Sequence, residues 1–245
     1  MSFNRMSEAF VAFQACLKDY PIKTVSPHES NRVNHASVLL LWNSQPPNRV
    51  KRFMEIGCGS GFVSFGLAKL YGLKGTGMDI QSQLQQAFEQ GAKINEVSEK
   101  VEFLNLDTAQ IRNVLSPEGY DLCAFNPPHY ISGRGERVYD QIRELSRTAN
   151  EKIYEQFADG VSYLLKTKGI FSCVLSPHNL EDWMQAFEHH NLFVKTLTPV
   201  YGNPDNDAQL VLIRGIKNSK SSFVKLTPAV FLQSLLPFPT DSKRS

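Results

Sequence analysis

Asn126, Pro127, Pro128 and His129 follow directly on the apolar run Tyr120-Asp121-Leu122-Cys123-Ala124-Phe125. Proline has no N–H and a fixed φ, so the run must end as a strand and spill into a stiff corner. Such a corner can grip a planar group that carries an NH2. The Asn126 side-chain oxygen and the Pro127 carbonyl can accept its two hydrogens, while the ring of His129, or of Tyr130 next to it, stacks on the flat face. The competing explanation is a plain strand-end turn, since Asn-Pro often initiates one.

A second constellation lies upstream, in Glu55-Ile56-Gly57-Cys58-Gly59-Ser60-Gly61. Glycines at 57, 59 and 61 let the backbone turn sharply and approach a ligand with no Cβ between them. A dinucleotide fingerprint would place its third glycine where Phe62 stands, and no Gly-Lys-Ser/Thr follows for a phosphate loop. Asp79 then closes a second apolar run and Asp107 a third. An acid about 20 residues past a glycine loop is the expected ligand for ribose hydroxyls in nucleotide-binding α/β domains. Each acid alone would more often cap a helix. In series, however, Glu55, Asp79, Asp107 and Asn126 all fall just past a strand, on the sheet edge where ligands bind.

The elements that must position these residues alternate. Apolar spacing predicts helices over 6–20 and 33–42, then strands over 51–56, 75–80, 101–106, 120–125 and 170–175. Helices are predicted over 60–71, 81–95, about 147–165 and 176–189. This is the pattern of a parallel, doubly covered α/β sheet. Two last strands, over 192–198 and 210–215, flank Gly202-Asn203-Pro204-Asp205-Asn206-Asp207 and predict an antiparallel hairpin. The division expected is an N-terminal helical extension over 1–48, a main domain over 49–236 and a frayed polar tail over 237–245.

Composition narrows the function classes. The 245 residues are 42% hydrophobic and 20% charged, with a net charge of +2, so any nucleic-acid contact must come from local basic patches. One such patch is 132–152, where Arg134, Arg137, Arg143, Arg147 and Lys152 interleave with Glu136, Asp140, Glu144 and Glu151. Most of these charges suit a solvated helix with i,i+4 pairs. Directly after the Asn-Pro-Pro-His corner, though, Arg134 and Arg147 could reach phosphates. Lys217, Lys220 and Lys225 form a weaker patch. The N-terminus has no apolar signal core, and no window reaches the ~18 apolar residues of a membrane span. Cys16, Cys58, Cys123 and Cys173 lack metal spacing and read as small hydrophobes of a reducing, cytoplasmic protein. His189-His190 closes a helix, where positive charge is favoured. No metal is expected.

From about Tyr20 to Leu232 the order of motifs resembles a family of bacterial methyltransferases that act on the N6 of an adenine in the anticodon loop of valine tRNA. The match is carried by Glu55-Ile-Gly-Cys-Gly-Ser-Gly61, by Asn126-Pro-Pro-His129, by Arg147 and by Leu210-Val-Leu-Ile-Arg-Gly-Ile-Lys-Asn-Ser-Lys220. The chain departs from that pattern in having His129 where Tyr or Phe is usual, and Ala36-Ser37 where an acid precedes Val-Leu-Leu. The resemblance implies a Rossmann-like, doubly wound, mostly parallel seven-stranded sheet ending in an antiparallel hairpin. It also implies an S-adenosylmethionine cofactor held by Glu55, Gly57, Gly59, Gly61, Asp79, Asp107 and Asn126, with Asp107 receiving the adenine amino group. Asn126, Pro127, Pro128 and His129 would be catalytic, and His129, Tyr130, Arg134 and Arg147 would meet an RNA substrate, a tRNA first of all. A protein glutamine amide, guanine N2 of ribosomal RNA, or a non-catalytic RNA-binding role are the alternatives.

Overall fold

The computed structural model describes residues 5–27, 33–127, 153–203, 205–220 and 223–232. Four strands, β1 (Arg52–Ile56), β2 (Lys74–Asp79), β3 (Val101–Asn105) and β4 (Tyr120–Phe125), pair in parallel in the order β3-β2-β1-β4. Beside β4 lies β5 (Leu165–Leu175), also parallel. The chain then returns, so that β7 (Leu210–Lys217) sits antiparallel between β5 and β6 (Leu192–Tyr201). The doubly wound sheet and its closing hairpin are as the sequence predicts.

Two details differ. The sheet has nine strands, because the two-residue β8 (Lys225–Leu226) and β9 (Val230–Phe231) pair with the outer edge of β6. And β5 begins five residues before the predicted start. Lys168, at a left-handed φ of 66°, shifts the register so that Tyr120 pairs Leu165 but Leu122 pairs Ile170.

Helices cover both faces. On one lie α1 (Arg5–Asp19), α2 (His35–Asn43), α3 (Phe62–Tyr71) and α4 (Gln85–Ile94); on the other lie the short α5 (Ile111–Val114), α6 (helical over 153–164) and α7 (Leu180–His189). Strand side chains alternate between the two layers, as the pleat requires. Phe53, Leu122 and Ala124 join the layer of Phe10, Leu39, Leu41 and Phe65. Met54, Cys123 and Phe125 join that of Phe157, Trp183 and Phe187. Rings crowd beneath the end of β4: Phe125 lies 6.2 Å from Phe157, 6.1 Å from Trp183 and 6.2 Å from Phe187.

Helix α2 is fastened at its far end by a buried cation. The Arg214 guanidinium, reaching from β7, donates to the Asn43 carbonyl at 2.5 Å and to the Gln45 carbonyl at 2.9 Å. Asn43 in turn donates its amide to Ser172 Oγ at 2.9 Å and to the Ile213 carbonyl at 2.8 Å. Helix-terminal carbonyls lack partners within the helix, and a cation there also complements the helix dipole. Replacing Arg214 with Met keeps the apolar stem and removes both donors, so urea unfolding should show a loss of about 2–4 kcal/mol. An unchanged midpoint would show that these bonds only replace equivalent bonds to water.

Candidate functional site

The strand order reverses between β1 and β4, and beyond their carboxyl ends lies the crevice where open α/β sheets bind ligands. Gly57 leaves β1 there, and Asn126 leaves β4. Gly57 and Cys58 donate to the Met78 carbonyl at 2.8 and 3.0 Å, which ties the start of the glycine loop to β2. The loop then closes with Gly61 N–H on the Cys58 carbonyl at 2.9 Å and opens α3.

The three glycines have different tasks. All have positive φ: 74° at Gly57, 52° at Gly59 and 85° at Gly61. A Cβ on Gly57 would stand 3.9 Å from the Asn126 carbonyl oxygen, and one on Gly59 would meet no heavy atom within 4 Å. A Cβ on Gly61 would come within 2.4 Å of Phe65 Cζ and 2.7 Å of Phe88 Cδ2. Gly57 and Gly59 therefore keep space open, whereas Gly61 lets α3 and α4 pack under the loop.

That space is a cavity of about 120 Å³, walled by Gly57, Gly59, Glu55, Asn126 and, from the start of α2, Asn34 and Ser37. The α2 wall was not among the sequence candidates. The only sign of it was the family motif that fails at Ala36-Ser37. Asn34 caps α2 by accepting the Ser37 N–H at 3.0 Å, which fixes this wall.

At the cavity floor, Glu55 Oε2 accepts the Ser64 N–H at 2.8 Å and the Ser64 hydroxyl as well, so it also caps the first turn of α3. Burial pushes its carboxyl up to about 8, with the Asp79 charge adding to the rise and the Ser64 bonds opposing it. The folded protein thus keeps this proton to about pH 8, whereas an ordinary glutamate loses it near 4.5. Folding takes up a proton between those limits, so stability falls as pH rises through that window. Glu55→Gln mimics the protonated form and should flatten the decline, seen as a smaller difference between urea midpoints at pH 5 and pH 8. Parallel pH profiles for the two proteins would remove Glu55 as the cause.

Asp79 and Asp107 lie at the ends of β2 and β3 but do not line this cavity. Asp79, buried, accepts the Gly59 N–H at 2.9 Å and the Gln81 N–H at 3.0 Å. Asp107 accepts the Ala109 N–H at 2.9 Å and caps a short 3-10 turn. Both do the capping work that acids after strands usually do, and each carboxylate has further lone pairs facing the same sheet edge.

Asn126 is different. Its Oδ1 is buried and has no hydrogen-bond donor among the described residues. A buried acceptor without a donor costs about 1–3 kcal/mol, so its persistence asks for a ligand. Pro127 beside it is buried. Pro128, His129, Tyr130, Arg134 and Arg147 lie outside the described residues, as does the rest of the basic segment. The second basic patch sits at the other end of the sheet. Ile216 pairs with Ile170 near the start of β5, and Lys217 next to it binds Glu118 at 3.2 Å and the Leu165 carbonyl at 2.8 Å.

A parallel sheet reversing at β1/β4, a glycine loop that keeps a cavity open, strand-end acids and an antiparallel β7 define the fold of S-adenosylmethionine-dependent methyltransferases. A methyltransferase domain model matches residues 48–212, two thirds of the chain, and the chain belongs to that family. A curated tRNA1(Val) (adenine(37)-N6)-methyltransferase from Yersinia enterocolitica is 24% identical over 176 residues, covering 69% of this chain and 66% of the relative. The match therefore spans just under two thirds of that relative's length. Among solved structures, a predicted O-methyltransferase from Agrobacterium tumefaciens superposes with a TM-score of 0.62 at 17% identity, over 81% of this chain and 88% of that one. TrmN from Thermus thermophilus gives 0.55 at 17% identity, over 74% and 48%. Both likenesses establish the fold.

Proposed function

We propose that this protein moves a methyl group from S-adenosylmethionine to an exocyclic amine, adenine N6 of a tRNA loop. The observation that carries the reading is the donorless Asn126 Oδ1 at the cavity wall. It is a ready acceptor for an N–H hydrogen, and the Pro127 carbonyl is the second. Held by two acceptors, the amine is driven toward a pyramidal nitrogen whose lone pair is no longer spread into the ring. When bound, S-adenosylmethionine supplies the electrophilic sulfonium methyl. The space above Gly57 and Gly59 fits one end of such a ligand, because a cavity of about 120 Å³ is smaller than a complete nucleoside cofactor needs. Asp79 and Asp107 stand ready along the sheet edge for the ribose and the adenine.

Nothing in the cavity wall acts as a dedicated base. Glu55, its carboxyl, keeps its proton to about pH 8 and is held by Ser64. Positioning does most of the work, and it can lower a barrier by ~7–11 kcal/mol. The tRNA assignment draws on the Yersinia relatives, and an unpaired loop base is the least costly to extract from its stack. A tRNA substrate would place the protein in the cytoplasm.

The test is transfer of a labelled methyl group from S-adenosylmethionine to bulk tRNA, followed by nuclease digestion and mass spectrometry of the nucleosides. Label in N6-methyladenosine is the expected result. Label in guanine, or in protein glutamine after protease digestion, would overturn the substrate assignment while keeping the chemistry. No label in any fraction would overturn both.

A further inference from the structure

Far in sequence from the motifs above, α6 and the end of α7 bring three metal-binding groups together. Glu155 on α6, His189 and His190 present ligand atoms that all lie within 4.8 Å of one another. His190 Nε2 is 2.7 Å from Glu155 Oε2, and His189 Nδ1 is 3.2 Å from the same oxygen. We propose that Glu155, His189 and His190 form a binding site for a divalent late transition metal, Zn²⁺ foremost, which fastens α6 to α7.

The chemistry of the donors points there. His190 turns its other nitrogen, Nδ1, toward Asp159 Oδ1 at 3.4 Å. Asp159 is held in turn by both arms of the Arg112 guanidinium, at 2.6 Å each. A carboxylate behind a metal-binding imidazole keeps the proton on the rear nitrogen and aims the front lone pair forward. With Nδ1–H on Asp159, the front lone pair of Nε2 faces an oxygen of Glu155 that also only accepts. His189 Nδ1 adds a third acceptor to the same point. Convergent lone pairs need a cation between them. A proton bridges two of them, whereas a divalent ion satisfies all three.

The geometry suits zinc. Ligands around a tetrahedral zinc with bonds of about 2.0–2.1 Å stand roughly 3.3 Å apart, close to the separations here. Two imidazole nitrogens and one carboxylate oxygen are a donor set of open zinc sites, with water in the fourth position. The side chain of His189 is 76% exposed and that of His190 22%, so an ion has a path in and a held inner wall. The framework is rigid, because the residues flanking the ligands pack against each other: Tyr154 lies 4.8 Å from Trp183, and Phe157 lies 5.9 Å from it.

The sequence conceals the site because Glu155 stands 34 residues before His189. A His-His pair with no third ligand nearby reads as a helix terminus.

The experiment is calorimetric titration of Zn²⁺ into the full, tag-free chain stripped of metal by a chelator, with Co²⁺ absorption reporting the geometry. One ion per chain with micromolar affinity and a tetrahedral Co²⁺ spectrum are expected, both lost near pH 5 as protons compete for the imidazoles. Glu155→Gln and His190→Ala should each weaken binding at least about 10-fold, and Asp159→Asn by about 10-fold through the orientation of His190. Circular dichroism confirms that each variant is folded. Zinc bound equally well by the His189→Ala/His190→Ala double variant, or not bound at micromolar concentration by the wild type, would overturn the proposal.

Discussion

Asn126→Ala will cost methyl transfer about 100-fold or more while leaving the affinity for S-adenosylmethionine within a few-fold of wild type, the signature of an interaction made in the transition state. The structure supplies the reason for expecting separation. Asn126 Oδ1 has no donor among the described residues, so its removal breaks no bond seen in the fold. Stability should hold or rise slightly, because a buried acceptor without a partner is removed. Single-turnover transfer to tRNA and calorimetry with the cofactor read the two quantities separately. Near-normal turnover in the variant would take Asn126 out of the mechanism.

Gly59→Val should do the reverse, weakening cofactor binding first. Its new side chain meets no protein atom, so it projects into the cavity that the ligand needs. Overfilling a fitted space costs about 1–3 kcal/mol, or roughly 10- to 100-fold in affinity. The left-handed φ of 52° adds backbone strain of about 1–2 kcal/mol. Gly61→Ala is the control. Its Cβ collides with Phe65 and Phe88, so that variant should lose folding stability instead. If Gly59→Val binds the cofactor as the wild type does, the cavity is not the cofactor's.

The strands that carry the site were legible because each is a short apolar run ended by a residue that cannot continue it. Ile56 yields to glycine, and Phe125 to Asn126 and proline. The short β8 and β9 were not legible, since two residues make no pattern and their pairing is set by the free edge of β6. The early start of β5 was hidden for a different reason. It passes through a left-handed lysine, a conformation that residue type does not announce. Within the site, residue type marked the positions but not the division of labour. Glu55 and Asp107 cap helical turns, Asp79 holds the glycine loop, and Gly61 serves packing. Only coordinates separate those tasks, because each depends on what lies across the sheet.

Helix α2 is a short strut with unlike ends. Asn34 and Ser37 at its start form one side of the cavity, while Arg214 and Ser172 grip its finish from the sheet. Its inner residues Leu39 and Leu41 are wholly enclosed. A shortened protein begun at Val50 would therefore lose more than a leading appendage. It would leave a greasy trough across the sheet, a lone guanidinium with nothing to hold, and a binding chamber missing one side. Anyone trimming this enzyme for crystallisation or display has to cut ahead of Asn34.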